Sequence, residues 1–186
     1  MIPNIFKIHS IYDDEDIGLF WQKSIFKKLF VALLIVGIIP YFLSCFHAFR
    51  TSHWHLIFIF TLVYGWVICL TLIEKIHFPL RVWGGLAAFY CLGITSLLTS
   101  GFLGSGRLFL LCFTAFATIF YNLRGAIYAG GISVATMLIF GFLFDAGILI
   151  PDQIKQLFSL EQWMVYTGTF TFLCAALTIP LSILIR

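Results

Sequence analysis

From residue 29 onward the chain is built of long apolar runs separated by short polar segments. A membrane-spanning helix needs about 20 apolar residues at a rise of about 1.5 Å each. Six stretches meet or approach that length: Leu29 to Phe49, Trp54 to Ile73, Leu80 to Thr99, Leu108 to Tyr121, Ala126 to Phe144 and Trp163 to Ile185. The fourth is short and extends toward Arg107 and Leu123 if it is to cross a bilayer. Pro79 stands where a first helical turn accepts it, because the N–H groups of that turn have no intrahelical acceptor. Pro151 marks the one long connection between spans. Spanning β-strands would show segments of about ten residues alternating apolar with polar. Runs such as Leu29 to Pro40 are instead continuous, which excludes a barrel. The predicted fold is all-α: a polytopic membrane bundle of about six transmembrane helices.

The first 28 residues follow a different pattern. Asp13, Asp14, Glu15 and Asp16 precede Ile17, Phe20, Trp21, Ile25 and Phe26, and Lys27 and Lys28 close the segment. Acidic side chains suit a helix N-terminus and lysines suit an anionic lipid surface. The segment reads as an amphipathic interfacial helix over Asp14 to Lys28 that feeds the first span. A solvated acidic leader is the alternative. The expected organisation is a cytoplasmic leader over residues 1–28 and a six-helix transmembrane domain over residues 29–186.

Composition agrees with the pattern. Hydrophobic residues make up 61% of the 186 positions and charged residues 10%, against about 25% charged in a soluble domain. The net charge of +3 and the scatter of the basic residues argue against a nucleic-acid partner. No basic stretch followed directly by a short apolar core and a cleavage site opens the chain. With the N-terminus inside, the cytoplasmic segments hold Lys7, Lys23, Lys27, Lys28, Lys75, Arg81, Arg124 and Arg186, and the outer segments hold Arg50, Arg107 and Lys155. Eight against three satisfies the positive-inside rule. Both termini are therefore expected in the cytoplasm. The five cysteines lie inside apolar stretches with no metal-ligand spacing and read as small buried hydrophobes.

Candidate chemistry is sparse. No zinc-hydrolase, nucleophile-elbow, P-loop or dinucleotide-binding motif is present, and carboxylates are almost absent from the spans, so the chain is not expected to be an enzyme or to carry a cofactor. The most informative stretch runs from Ser100 to Arg107 between the third and fourth spans. Gly101, Gly104 and Gly106 permit a tight turn, and Arg107 stands at a helix start whose dipole favours anions. Gly104, Ser105, Gly106 and Arg107 are thus candidate ligand-binding residues, and the plain alternative is an interfacial anchor. A second outer cluster comprises His47, Arg50, His53, Trp54 and His55. Without a cysteine or carboxylate to complete a set, it fits a pH-responsive role better than a metal site. Arg50 and His53 join the candidate binding residues on that basis. Asp145, Asp152, Lys155 and Glu161 read as a solvated loop, with a short interfacial helix around Ile154 to Phe158. Pro40 and Pro180 each free a carbonyl four residues earlier, at Val36 and Ala176, giving hinges or fitted bends. Ala126, Gly130, Gly131 and Ala135 allow close helix approach.

The run Gly101-Phe-Leu-Gly-Ser-Gly-Arg-Leu-Phe-Leu-Leu, followed by Tyr121-Asn-Leu-Arg-Gly-Ala-Ile, resembles the membrane-embedded N-terminal region of bacterial PAS-containing, often hybrid, sensor histidine kinases and of some diguanylate cyclases. The resemblance covers most of Lys28 to Arg186; the acidic leader lies outside it. It implies a sensing and anchoring module that passes an outer stimulus to a cytoplasmic output domain. No phospho-acceptor histidine box, ATP-binding motif or cyclase signature occurs in the chain, so that domain is expected beyond Arg186. The implied partners are the lipid bilayer, a small anionic or amphiphilic ligand, and a second copy joined through a downstream region. Two rivals come from other classes: a small six-helix substrate-binding subunit of a vitamin-type transporter, and a membrane scaffold. The first span argues against the transporter, because Ala32 and Gly37 are its only small residues before Ser44.

Overall fold

A computed structural model describes residues 5–50, 52, 54–73, 75–101, 104–148 and 160–184; side chains are described from residue 22 onward, apart from His47, Leu160 and Leu184. The described residues form five helices and no strand: α1 (Ile5–Arg50), α2 (Trp54–Leu72), α3 (Phe78–Ser100), α4 (Gly106–Asp145) and α5 (Leu160–Leu184). Each contains a stretch long and apolar enough to cross a membrane. The all-α expectation holds.

Five helices accommodate six apolar runs because α4 is two arms. Its 40 residues would extend about 60 Å if straight, twice the hydrocarbon thickness of about 30 Å. Asn122 breaks it, with φ 57° and ψ −158°. With ψ far from the left-handed helical value that Asn tolerates, that backbone is strained for any residue that carries a Cβ. The chain then reverses. A Cβ placed on Gly130 would lie 3.6 Å from Thr114 Cγ2, and one placed on Gly125 would lie 2.6 Å from the Ala117 carbonyl oxygen. On a straight helix Thr114 and Gly130 would be about 24 Å apart. Residues 106–121 and 123–145 therefore pair as the fourth and fifth apolar runs.

From Ile5 the leader is helical and enters the first span without a break, so α1 runs through both over 46 residues. The interfacial helix expected around Ile154 to Phe158 lies outside the described residues, as do Pro151, Asp152 and Lys155.

The chain divides into two compact units, Met1–Gly85 and Leu86–Arg186. In the first, α1 and α2 face each other through aromatic and hydroxyl groups. The rings of Tyr41 and Tyr64 stack with centroids 4.7 Å apart. The Tyr64 hydroxyl donates to the Leu34 carbonyl at 2.9 Å, and Tyr41 pairs with Thr61 at 3.0 Å. Elsewhere α1 is sheathed in exposed apolar side chains, among them Ile35, Val36, Ile39, Phe42 and Leu43. That is the surface a hydrocarbon solvent requires.

The second unit has a core of Leu97, Leu110, Met137, Phe140, Phe144, Trp163, Phe170 and Cys174. Its helices approach closely where side chains are small. Gly106, at the start of α4, sits against α3: a Cβ there would fall 2.8 Å from Leu97 Cγ and 2.9 Å from the Gly93 carbonyl oxygen. Gly106→Ala should therefore destabilise the fold by about 1–3 kcal/mol. Gly131→Ala, whose new methyl would meet nothing within 4 Å, should be neutral or stabilising by up to about 1 kcal/mol. Thermal unfolding of the two variants in detergent compares these outcomes.

Candidate functional site

The connection between α3 and α4 is shaped by its glycines. Gly101 takes φ 58°, a left-handed conformation that glycine adopts freely, and the Gly104 N–H reaches back to the Gly101 carbonyl at 3.4 Å. Ser105 stands at the N-cap of α4 but its side chain caps nothing. Its hydroxyl pairs instead with that of Ser96 on α3, at 3.2 Å. The Ser105 carbonyl receives the N–H groups of Leu108 and Phe109 at 2.9 and 3.2 Å. The first-turn N–H groups of Gly106 and Arg107 have no intrahelical acceptor in such an arrangement.

Arg107, half-buried, points its guanidinium at α5. Its Cζ lies 4.6 Å from the centroid of the Tyr166 ring. The ring's negative face attracts the cation and occupies one face of the guanidinium. The in-plane donors remain: among the described residues none accepts a hydrogen bond from Arg107, and no carboxylate pairs with it. The result is a cation held by π contact with its fork of N–H groups unspent, beside a helix N-terminus.

The four loop candidates, Gly104, Ser105, Gly106 and Arg107, thus lie in one continuous structure. Two of the glycines have direct structural duties there, Gly101 in the turn and Gly106 in the approach to α3. Arg50 belongs to the other compact unit, at the end of α1, with its guanidinium 5.4 Å above the Phe46 ring. His53 and the side chain of His47 lie outside the described residues, so the histidine cluster is represented there by Arg50, Trp54 and His55.

Tyr166 is a participant that the sequence reading did not identify. Nothing local distinguishes it from the other tyrosines, since its partner is 59 positions away in the chain. The reading also missed a set of buried hydroxyls in the second unit, at Thr114, Thr118, Ser133, Thr136, Thr167 and Thr178. Most donate to the carbonyl one turn back in their own helix, as Thr114 does to Leu110 at 2.9 Å and Thr178 to Cys174 at 2.7 Å. Thr136 spends its proton on the Ile132 carbonyl, so Tyr90 must donate to Thr136, at 2.8 Å. Ser133 is fully buried and its hydroxyl has no hydrogen-bond partner. The Trp163 indole N–H donates to the Met137 carbonyl, fastening α5 to the second arm of α4.

The MASE11 family model matches residues 20–186. The chain belongs to that family, and MASE domains are membrane-associated sensory domains of signalling proteins. No curated protein and no solved structure matches the chain.

The contact between Arg107 and Tyr166 can be measured. In a double-mutant cycle of Arg107→Gln and Tyr166→Leu, the coupling energy should be about 0.5–2 kcal/mol. Tyr166→Phe, which keeps the ring, should retain nearly all of it. Additive single and double variants would show that the ring does not hold the cation.

Proposed function

From the premise of a MASE11 domain, we propose that this chain is the membrane-embedded sensory module of a bacterial signal-transduction protein. It passes a stimulus received at the outer face of the inner membrane to a cytoplasmic output domain of the histidine kinase or diguanylate cyclase type. The module itself is non-catalytic, and its second copy is recruited through the downstream region. Both termini face the cytoplasm. Family membership supports this sensory reading over transport or scaffolding, and the distribution of Lys and Arg supports the orientation.

The observation that carries the mechanism is the unspent donor fork of Arg107 above Tyr166. An anionic or carboxylate-bearing ligand at the Gly101–Arg107 loop would take up that fork in bidentate fashion. Arg107 touches α5 through Tyr166, so drawing the guanidinium toward a ligand alters its contact with the helix that leads to the C-terminus. A ligand shifts such an equilibrium only by as much as it prefers one arrangement, and the ring contact provides the two arrangements: Arg107 on Tyr166, or Arg107 on the ligand.

Orientation is tested by placing single cysteines at Ser105 and His77, both exposed, in a background with the five native cysteines replaced by Ala. In intact cells an impermeant maleimide should label position 105. Position 77 should react only after the membrane is opened, and the reverse pattern would overturn the topology. Ligand capture is tested by thermal shift against a panel of small carboxylates and phosphates. A ligand that stabilises the native chain should bind Arg107→Gln roughly ten- to a hundredfold more weakly, because a charge-assisted contact is worth about 1.5–3 kcal/mol. Arg107→Lys should fall between. Undiminished binding to well-folded Arg107→Gln would end the pocket reading.

A further inference from the structure

Two hydroxyls meet on a surface of the first unit that is otherwise apolar. Tyr41 on α1 and Thr61 on α2 hold their oxygens 3.0 Å apart in an exposed contact. Arg50 ends α1 and Trp54 begins α2, and an arginine and a tryptophan at such a junction suit the boundary of a membrane. Measured along the helices from those two residues, Tyr41 lies about 14 Å inside and Thr61 about 10 Å inside. The pair is therefore at hydrocarbon depth.

The protons of the pair do not balance. Two hydroxyls carry two protons, and the single bond between them uses one, whichever oxygen donates. Thr71, Thr114 and Thr178 return theirs to the carbonyl one turn back. Thr61 makes no such bond to Ile57; its described hydrogen bond is the one with Tyr41. Tyr64, the phenol stacked on Tyr41, is already committed to the Leu34 carbonyl. The side chains one turn either way of the pair, at 37–45 and 57–65, are all described. Among the described residues one proton of the pair is thus left without an acceptor. Hydrocarbon supplies none, and an unmet donor there is costly.

The surface beside the pair has room for an acceptor. Gly65, one turn beyond Thr61 on the same face of α2, leaves nothing within 4 Å of the point a Cβ would occupy. Phe58, one turn before Thr61, is 69% exposed, and Ile38, one turn before Tyr41, is 44% exposed. An acceptor that reaches this depth must be lipid-soluble and must present an apolar body to those side chains. Ester carbonyls of phospholipids sit at the edge of the hydrocarbon, near the level of Trp54. A quinone meets both conditions: its ring carbonyls accept hydrogen bonds without donating, and its isoprenoid tail holds it within the bilayer.

We propose that the Tyr41–Thr61 pair binds a lipid-soluble quinone in its oxidised form. Thr61 donates to Tyr41, and Tyr41 donates to a ring carbonyl of the quinone. Receiving one hydrogen bond polarises the phenol and strengthens the one it gives. The quinone ring takes the open space at Gly65, flanked by Phe58. The site lies in the unit without the Gly101–Arg107 loop and goes beyond the sensory reading. It needs neither the ligand of that loop nor an output domain, so either idea can fail alone.

The test measures saturable retention of decylubiquinone by the chain in phosphatidylcholine nanodiscs, with the uptake of empty nanodiscs subtracted. The native chain should bind it, and more tightly than decylubiquinol, whose oxygens carry protons of their own. Tyr41→Phe keeps the ring and removes the terminal donor, and should weaken binding about three- to tenfold, the worth of one neutral hydrogen bond. Thr61→Val should cost less, because Tyr41 still donates. Gly65→Leu leaves both hydroxyls in place but lays a side chain back over Thr61, and should weaken binding at least as much as Tyr41→Phe. Should a hydroxyl variant fail to fold, Gly65→Leu, whose new side chain enters open space, still decides the matter. No saturable binding to the native chain would overturn the site, as would undiminished binding to the folded double variant Tyr41→Phe with Thr61→Val, or to Gly65→Leu. Equal affinity for the quinol would overturn the preference for a carbonyl, and full displacement by mono-oleoylglycerol would overturn the quinone in favour of an ester lipid.

Discussion

Hydrocarbon offers no hydrogen bonds, so every polar group that enters it must bring its partner along. This condition accounts for the helical character of the described chain and for the behaviour of its hydroxyls. Thr71, Thr114, Thr118, Thr136, Thr167 and Thr178 each return their proton to a carbonyl of their own helix. The same condition explains where irregular backbone is found. The positive-φ residues Ser52, Gly101, Asn122 and Gly147 all lie at helix ends or at the break in α4. Helix ends leave N–H and carbonyl groups without intrahelical partners in any case, so irregular backbone there breaks few further bonds.

With most buried hydroxyls of the described residues, Ser133 excepted, satisfied within their own helices, few polar contacts remain to specify how one helix meets another. Tyr90 on Thr136 and Trp163 on the Met137 carbonyl do so in the second unit. Tyr41 on Thr61 and Trp66 on the Gly84 carbonyl do so in the first. Aromatic side chains appear in every one of these because they carry a polar tip on a large apolar body. Close approach at small residues supplies the rest. Gly106 against Leu97 is a contact that no larger side chain would permit without displacement, whereas Gly130 meets Thr114 at ordinary van der Waals distance.

The apolar run lengths made the spans legible in the sequence, and α2 and α3 begin and end within two residues of the runs that announced them. The fourth and fifth runs were equally visible, but the manner of their connection was not. Nothing in Tyr121-Asn122-Leu123-Arg124 indicates that helical hydrogen bonding closes up to both sides of one residue and breaks only at Asn122. The Gly101–Arg107 loop was legible because turn chemistry is local. The partner of Arg107 was not, since cation–π contact depends on tertiary placement. Arg81 was counted only as a cytoplasmic charge for the same reason: a sequence shows that an arginine follows a proline near a helix start, but not that its side chain turns back to the preceding helix.

The distribution of hydrogen bonds along α5 has a mechanical consequence. At its beginning Trp163 is bonded to the Met137 carbonyl and Tyr166 lies under Arg107. Beyond Tyr166, Thr167, Thr169, Thr171, Thr178 and Ser182 bond within α5, and the sole described hydrogen bond to a neighbouring helix is the thiol of Cys174 with Thr114 at 4.0 Å. The helix is therefore a rod clamped near one end and held along the remainder by dispersion and that one weak thiol contact. From Tyr166 to Leu184 that rod is about 27 Å long. A tilt of about 5° at the clamp carries its far end sideways by about 2 Å, with only one weak polar link to stretch. In such a lever the amplification comes from length, and the resistance is set by how smoothly small side chains slide past their neighbours.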